Sequence, residues 1–322
     1  MVRPPGPGGP PDDPAADMAR QQADQELLAR GRLPLAAERR LRGVGGADPD
    51  GLAFTGDLSA GEAALVRRQG LEPLCLVTGN ALYHVGFASA SAWQDCEVSE
   101  LSHAYDEATR LAVRRLELEA QTAGAHGVVG VRYAIARHEW AEHTVEVQVM
   151  GTAVRTGGPR PKAPWLSDLS GQQWWALWQV GYQALALVWG HCTWFVLTTQ
   201  QDEWNEWNPQ NVELRHFSAA LGQCRNRAAM RMQAMARAAG ALGVVGVHLA
   251  RRLDEVRLTG GGDPATEAAV EREHHNLSFS AIGTAVGLRP NAPRHIVQTP
   301  LVLSLRDGRL GLRGTPAEAS FS

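Results

Sequence analysis

Apolar residues recur at helical spacing in two long stretches of the chain. In the first stretch they are Leu101, Tyr105, Ala108, Ala112, Leu116, Ala120 and Ala123. This spacing predicts an amphipathic helix that ends at Gly124, because glycine readily takes the left-handed conformation that terminates helices. The second stretch, from about Leu214 to Ala239, is rich in Ala and Met and is followed by Gly240. We therefore predict two long helices in corresponding places.

The same strand signal follows each predicted helix. The sequence GAHGVVGVR (Gly124–Arg132) reappears as GALGVVGVH (Gly240–His248), 116 positions later. The valines predict a strand that is covered on both faces, by the helix on one side and by a neighbouring protomer or the sister domain on the other. The glycines follow a helix and begin a strand, which is the reverse of the order in nucleotide-binding loops. This order argues against a phosphate-binding role.

A second strand is predicted after each GVVGV strand. In the run His143–Arg155, Val145, Val147 and Val149 alternate with polar residues, and the corresponding run is Leu277–Arg289. Such alternation is typical of a strand with one buried face.

The stretch before each long helix is repeated as well. An offset of 111 matches Asp57–Ser59 with Asp168–Ser170, Gly70 with Gly181, and Gly79 with Gly190. Ser59 with Glu62, and Ser170 with Gln173, have the spacing of a helix capping box. We therefore predict a short helix at the start of each copy. The apolar stretch after it is predicted to form a hairpin or a bent strand around Thr78–Asn80.

The segment from Gly171 to Gln201 contains no Asp, Glu, Lys or Arg, and eight tryptophans lie between Trp165 and Trp207. This segment resembles a membrane span, but its counterpart in the first copy carries four charged residues, Glu62, Arg67, Arg68 and Glu72. Four charges would cost on the order of 10 kcal/mol at a bilayer centre. A membrane span is therefore disfavoured, and the tryptophans are expected in a core or at an interface.

The ends of the chain differ from the two copies. The first residues are dense in Pro and Gly and are expected to be disordered to about Pro14, without a secretory signal. A helix broken at Pro34 is predicted over Asp17–Gly43, and one strand near Ile296–Leu305. The domain prediction is an extension at 1–50, a first domain at 51–157, a second domain at 164–290 and a tail at 291–322.

Composition narrows the function classes. The chain has 322 residues, 31 basic and 34 acidic, with no run of five like charges, so we predict no nucleic-acid surface. Four cysteines without a C-x-x-C pair suggest reduced thiols and a cytoplasmic protein. No nucleophile–base motif is apparent, and the chain is predicted not to be an enzyme.

Three separated motifs resemble those of the YbjQ-like family, whose members are often labelled heavy-metal-binding domains. They are LVTGNALY (Leu76–Tyr83), AGAHGVVGVR (Ala123–Arg132) and GTAV (Gly151–Val154). The second copy keeps GALGVVGV and GTAV but has LVWGHCTW (Leu187–Trp194) in the first place. The resemblance implies two tandem α+β domains, each similar in topology to a dodecin subunit, with an antiparallel sheet packed against a long helix. It also implies a ring-like homo-oligomer, typically a pentamer, and no established enzyme activity.

Histidines in the last hairpin of each copy are the candidate metal ligands. They are His138, Glu139 and His143 in HEWAEH, and His274 and His275 in EREHHN. His138 and His143 are five apart, so a helix would direct them to different faces, whereas a hairpin tip could bring them together. Two histidines and a carboxylate suit a transition metal ion. Otherwise the sequence indicates no cofactor.

The sequence therefore favours a non-enzymatic scaffold or small-ligand-binding protein that self-associates, either as a ring or by pairing of its two copies. Two alternatives stay open. One is a membrane-associated protein that uses the Trp-rich segment 172–198, and the other is an uncharacterised enzyme.

Overall fold

The computed structural model describes residues 14–42, 55–86, 94–138, 141–256 and 273–290. The helices of this part are α1 (Pro14–Ala29), α2 (Leu35–Arg42), α3 (Ala60–Arg68), α4 (Ser99–Thr122), α5 (Gly171–Gln179), α6 (Gln200–Glu206) and α7 (Arg215–Ala238). The strands are β1 (Leu71–His84), β2 (Cys96–Glu97), β3 (Gly127–His138), β4 (Ala141–Thr156), β5 (Trp165–Leu166), β6 (Tyr182–Val196), β7 (Gly243–Val256) and β8 (His274–Leu288). The predictions for residues 1–13 and for the tail lie outside the described residues.

Two four-stranded sheets form the centre of the fold, in the orders β1-β4-β3-β5 and β2-β6-β8-β7. The three long strands of each sheet are antiparallel. Helix α4 packs on β1 and β4, and α7 packs on β6 and β8. Val145, Val147 and Val149 of β4 are fully buried, as their alternation predicts. The predicted α+β class, with antiparallel sheets against long helices, is confirmed.

The predicted turn at Thr78–Asn80 is replaced by a continuous strand. β1 pairs with β4 without interruption there, and its register shifts only between Pro73 and Cys75. The hairpin alternative is therefore wrong. Gly79 has a different role: a Cβ at this position would lie 2.0 Å from the carbonyl oxygen of Ala112. The glycine lets α4 approach the sheet closely.

The ends of the helices follow the sequence signals. Ser59 with Glu62, and Ser170 with Gln173, form the predicted capping boxes of α3 and α5. Gly124 ends α4 with a φ of 73°. The three other terminal glycines, Gly70, Gly181 and Gly240, also have positive φ. Each signal depends on residues within one turn, which is why the sequence alone predicts it.

The N-terminal helix pair is joined to α4 and β1 through a half-buried ion pair. The predicted break at Pro34 separates α1 from α2. Arg40 of α2 donates to Glu119 of α4 at 2.6 Å and to the carbonyl oxygen of Leu76 at 3.0 Å. Glu119 also accepts from the amide of Thr78 at 2.8 Å. This carboxylate therefore connects three elements.

The Trp-rich segment forms α5 and β6. β6 lies between β2 and β8 in the interior of its sheet. Within the described part of the chain, none of the helices has the length and apolar character that crossing a membrane requires.

Candidate functional site at the junction of the two halves

The edge of β3 is covered by the residues that precede α5, Trp165–Leu169, which we call the second lead-in. β5 pairs in parallel with β3, Gly127 opposite Trp165 and Val128 opposite Leu166. The pairing continues along the strand. The amide of Gly130 donates to the carbonyl oxygen of Leu169, and the amide of Val131 donates to the carbonyl oxygen of Ser167, both at 2.9 Å. The second half of the chain, from residue 165 to 290, thus completes the sheet of the first half, which ends at residue 156.

Tryptophans pack against this covered edge. The rings of Trp165 and Trp174 stack with centroids 5.6 Å apart, and Trp178 stacks on Trp174 at 5.2 Å. Gly127 makes this possible, because a Cβ there would lie 2.1 Å from the Trp165 ring. Trp174 belongs to an apolar cluster with Val66 and Val129 of the first half. The tryptophans therefore fill a seam between the two halves.

A cavity of about 530 Å³ lies beside this seam. Corresponding residues of the two halves line it, Asp57 with Asp168 and Arg132 with His248. In the first half, Arg132 Nε lies 2.6 Å from Asp57 Oδ2. In the second half, His248 Nε2 lies 3.8 Å from Asp168 Oδ2. The cavity therefore carries one compact ion pair and one loose pair at equivalent places.

Asp168 is the chemically unusual group of the cavity. Its side chain is only 3% exposed, and Oδ2 has no hydrogen-bond partner among the described residues. Thr284 donates its hydroxyl proton to Oδ1 and accepts from the Asp168 amide at 3.0 Å. Burial raises the pKa of Asp168 to about 6, although the Thr284 hydrogen bond and His248 lower it in part. A Cβ at Gly246 would lie 3.0 Å from both carboxylate oxygens, so the motif glycine leaves room for this group.

A second polar contact crosses the seam at His191. Its Nε2 lies 2.9 Å from the hydroxyl of Thr109 in α4, and its Nδ1 lies 2.8 Å from that of Ser280 in β8. The Tyr133 hydroxyl is 3.0 Å from the same Thr109 oxygen. Burial, with a contribution from Arg231, lowers the pKa of His191 to about 3. The imidazole is therefore neutral, and it joins the halves by hydrogen bonds and by ring contacts with Tyr105 and Tyr133.

The comparisons with known proteins find a family match in the first half of the chain. The family described as "Putative heavy-metal-binding", the YbjQ-like family, matches residues 75–157. The "Encapsulin nanocompartment protein Rv1762c" of Mycobacterium tuberculosis is 38% identical over 205 residues, which cover 62% of this chain and 78% of that protein. The chain belongs to the YbjQ-like family. No solved structure gives a significant match.

The YbjQ-like label makes the placement of the predicted metal ligands important. His138 ends β3 and His143 lies near the start of β4, so their backbones flank a short hairpin tip, as predicted. Glu139 lies outside the described residues. No group of three His, Cys, Asp or Glu side chains suited to a metal occurs among the residues described. Metal binding by this hairpin stays a prediction.

His274 and His275 begin β8 and pair with β7 and β6. His274 is fully buried, and its Nδ1 accepts from the Thr198 amide at 3.1 Å. The ring of His275 packs edge-on against Phe217. Adjacent residues of a strand point to opposite faces, so the two rings lie on different sides of the sheet. Metal binding by His274 or His275 stays a prediction.

Sequence reasoning did not select Asp168, Arg132 or His248 as site residues of this YbjQ-like chain. The offsets of 111 and 116 already pair Asp57 with Asp168 and Arg132 with His248. A charged residue at the same place in both copies was therefore the available signal. The sequence does not show that these two pairs of residues, far apart along the chain, line the same cavity.

Proposed function

We propose that this chain is a non-enzymatic, self-assembling scaffold or small-ligand-binding protein made of two tandem YbjQ-like domains, at 51–157 and 164–290. Three findings support the proposal: the family match, the name of the mycobacterial relative, which refers to a nanocompartment, and an uncovered strand edge in the second half. Self-association is the function that this edge favours.

The uncovered edge is β7, which carries the second GVVGV. In the first copy, Val128 and Val129 are fully buried and Val131 is 5% exposed. In the second copy, Val247 is 41% exposed, and none of the strands that the structure describes pairs with the outer edge of β7. Leu249 and Leu253 of the same strand are also exposed. Long apolar edge strands pair readily with other chains, so an edge of this kind favours assembly.

Native mass spectrometry tests the proposal. We expect wild-type protein at a discrete multiple of the 34.7 kDa chain mass. The double variant Val247→Lys/Leu249→Lys places charges on the edge and should release smaller species. Met230→Lys, at an exposed position on α7, is the matched control and should keep the wild-type mass. A wild-type protein that is monomeric at micromolar concentration would contradict self-assembly.

The cytoplasm is the compartment that we propose. All four cysteines lie in the described part of the chain, and no disulfide joins them. Reduced thiols are typical of the cytosol.

We also propose that the hairpin of His138, Glu139 and His143 binds a transition metal ion weakly. The family description and the hairpin backbone support this site. Metal analysis of purified protein should find metal that is lost in His138→Ala/His143→Ala. His274→Ala/His275→Ala is the comparison variant. Metal content that the first pair of substitutions leaves unchanged excludes this hairpin as the site.

A further inference from the structure

The two GVVGV strands present the same edge, but the described residues cover only that of β3. Gly130 and Gly246 have φ values of 63° and 67°, and the register with the neighbouring strand shifts at the same place in both. The amide protons after these glycines therefore point the same way. A Cβ at Gly127 would strike Trp165, whereas one at Gly243 would meet nothing within 4 Å. The β7 edge therefore has the same backbone arrangement as the β3 edge, but no described strand pairs with it.

The segment that pairs with β3 indicates which segment can pair with β7. β3 binds the second lead-in, which begins the copy that follows it. With the offset of 111, Leu166–Leu169 correspond to Thr55–Leu58 of the first copy, which we call the first lead-in. Asp57 donates its amide to Thr152 at 3.0 Å, as Asp168 does to Thr284 at the same distance. Both lead-ins are thus anchored in the same way to their own half.

The first lead-in is accessible for binding. Thr55 and Gly56 are exposed. The β3 edge of the same chain cannot bind the first lead-in, because the second lead-in already pairs with it. Within the described part of the chain, one chain therefore offers one unpaired GVVGV edge and one accessible lead-in, which are complementary to each other.

We infer that the first lead-in of one chain pairs in parallel with the β7 edge of the next chain. Following the bonds of β3, the amides of Gly246 and Val247 donate to Leu58 and Gly56 of the partner subunit. The amide of the partner's Gly56 donates to Val244, as Ser167 does to Val128 at 3.0 Å. The contact is head-to-tail, so it closes into a ring or continues as a helix. This inference rests on the proposed self-assembly and names its partner surface.

Each such contact would build a second junction cavity, between chains. Its lining from one chain would include His248 and Asp168, the residues that correspond to Arg132 and Asp57. The partner's Asp57 and the partner's Arg132 would occupy the places that Asp168 and His248 hold in the cavity within the chain. The assembled protein would then have equivalent cavities within and between chains.

Direct pairing of two β7 edges is the competing arrangement. The register of β7 with β8 shifts between Val245 and His248, which marks a bulge. Bulges interrupt the regular row of edge donors and acceptors and thereby oppose edge-to-edge pairing. The second lead-in accommodates the same bulge in β3, because the amides of Gly130 and Val131 at the bulge both donate to it. The observed pairing favours a lead-in over a second β7.

Two proline variants separate these arrangements. Val247→Pro removes the outward amide of the edge, and Gly56→Pro removes the amide of the lead-in. Each variant alone should be monomeric in native mass spectrometry. An equimolar mixture should form a dimer with twice the chain mass, because each variant retains the surface that the other lacks. The dimer cannot grow, since both of its remaining surfaces are blocked.

Other outcomes have distinct meanings. If Gly56→Pro keeps the wild-type mass while Val247→Pro is monomeric, β7 mediates assembly without the lead-in, and this inference is overturned while self-assembly stands. If both variants keep the wild-type mass, the head-to-tail contact is absent. A monomeric wild type overturns the proposed function itself.

Cross-linking gives a result that does not depend on the proline variants folding. Val128 lies opposite Leu166, so Val244 should lie opposite Thr55 of the partner subunit. Thr55→Cys/Val244→Cys, treated with a short bis-maleimide, should give covalent multimers in denaturing gels. The double variant and the single variants all carry Cys96→Ser, because Cys96 is the one native cysteine that is partly exposed. The single variants should then stay largely monomeric, because Cys75, Cys192 and Cys224 are buried. A double variant that forms no multimers while the native oligomer persists overturns the inferred pairing.

Discussion

At the scale of single residues, Asp57 and Asp168 show how one sequence position acquires two properties. Both donate an amide proton to a threonine of their own half, at the same distance. Asp57 pairs with Arg132 near solvent, whereas Asp168 is buried and 3.8 Å from His248. The difference arises because the second lead-in is enclosed between the two halves. The sequence shows the equivalence of the two residues but does not show which one is buried.

The buried carboxyl predicts a pH-dependent stability. The pKa of Asp168 is raised from 3.8 to about 6, so the folded state binds this proton more tightly than the unfolded chain does. The free energy of unfolding therefore decreases as the pH rises between these values. A shift of about two pKa units corresponds to about 3 kcal/mol. In urea titrations, Asp168→Asn should gain stability relative to wild type from pH 4 to pH 7, by up to this amount.

The control for this prediction is Glu72→Gln, which removes an exposed ion pair with Arg155. Its stability should differ from that of wild type by no more than about 1 kcal/mol. If the difference between Asp168→Asn and wild type is the same at pH 4 and pH 7, the buried carboxyl does not titrate as stated.

At the scale of elements, the long helices, the strands and the helix caps were largely predictable. Their signals depend on neighbours in sequence: apolar periodicity for α4 and α7, and Ser59 with Glu62 for the start of α3. Thr78–Asn80 has turn-type residues but is strand, because pairing with β4 and contact with α4 outweigh local preference. The close contact that requires Gly79 depends on a helix more than 30 residues away, which no local pattern contains.

This contact predicts that Gly79→Ala is destabilising. The added methyl group would lie 2.0 Å from the carbonyl oxygen of Ala112 and 2.7 Å from the amide of Leu116, so the helix must shift. We expect a loss of about 1–3 kcal/mol in the free energy of unfolding. Gly190→Ala should act in the same way, because its Cβ would lie 2.1 Å from the Ala228 oxygen.

Gly222→Ala is the matched control for both variants. This glycine lies within α7 with nothing near its Cβ position, so alanine should stabilise the helix by up to about 1 kcal/mol. Chemical denaturation measures all three variants. Equal effects at Gly79 and Gly222 would contradict the close approach of α4.

At the scale of the whole molecule, the two halves are joined through exchanged short strands and a shared seam. β2 of the first half pairs with β6, and β5 pairs with β3. The Trp165–Trp174–Trp178 stack and the hydrogen bonds of His191 cross the same boundary. Tight coupling of this kind makes the halves unfold together. The domain boundaries 51–157 and 164–290 stay a prediction.

Trp174→Ala tests this coupling. Trp174 is 6% exposed within the seam, and its removal should cost about 3–5 kcal/mol in the free energy of unfolding. Because the lost contacts join the halves, calorimetry should show a broader or split transition. Trp207→Ala is the control, since that side chain is 86% exposed and should leave the transition almost unchanged. A single sharp transition for Trp174→Ala would indicate that the coupling of the halves does not depend on this ring.

The sequence by itself determined the α+β class, the repeated series of elements and the helix ends, because these follow from periodicity and from residues close along the chain. Tertiary structure alone decided that, among the residues described, a strand covers one GVVGV edge and none covers the other, although the two sequences are identical there. It also decided which of two equivalent aspartates is buried. Coverage and burial depend on segments far apart in sequence, so identical local patterns acquire different environments and different chemistry.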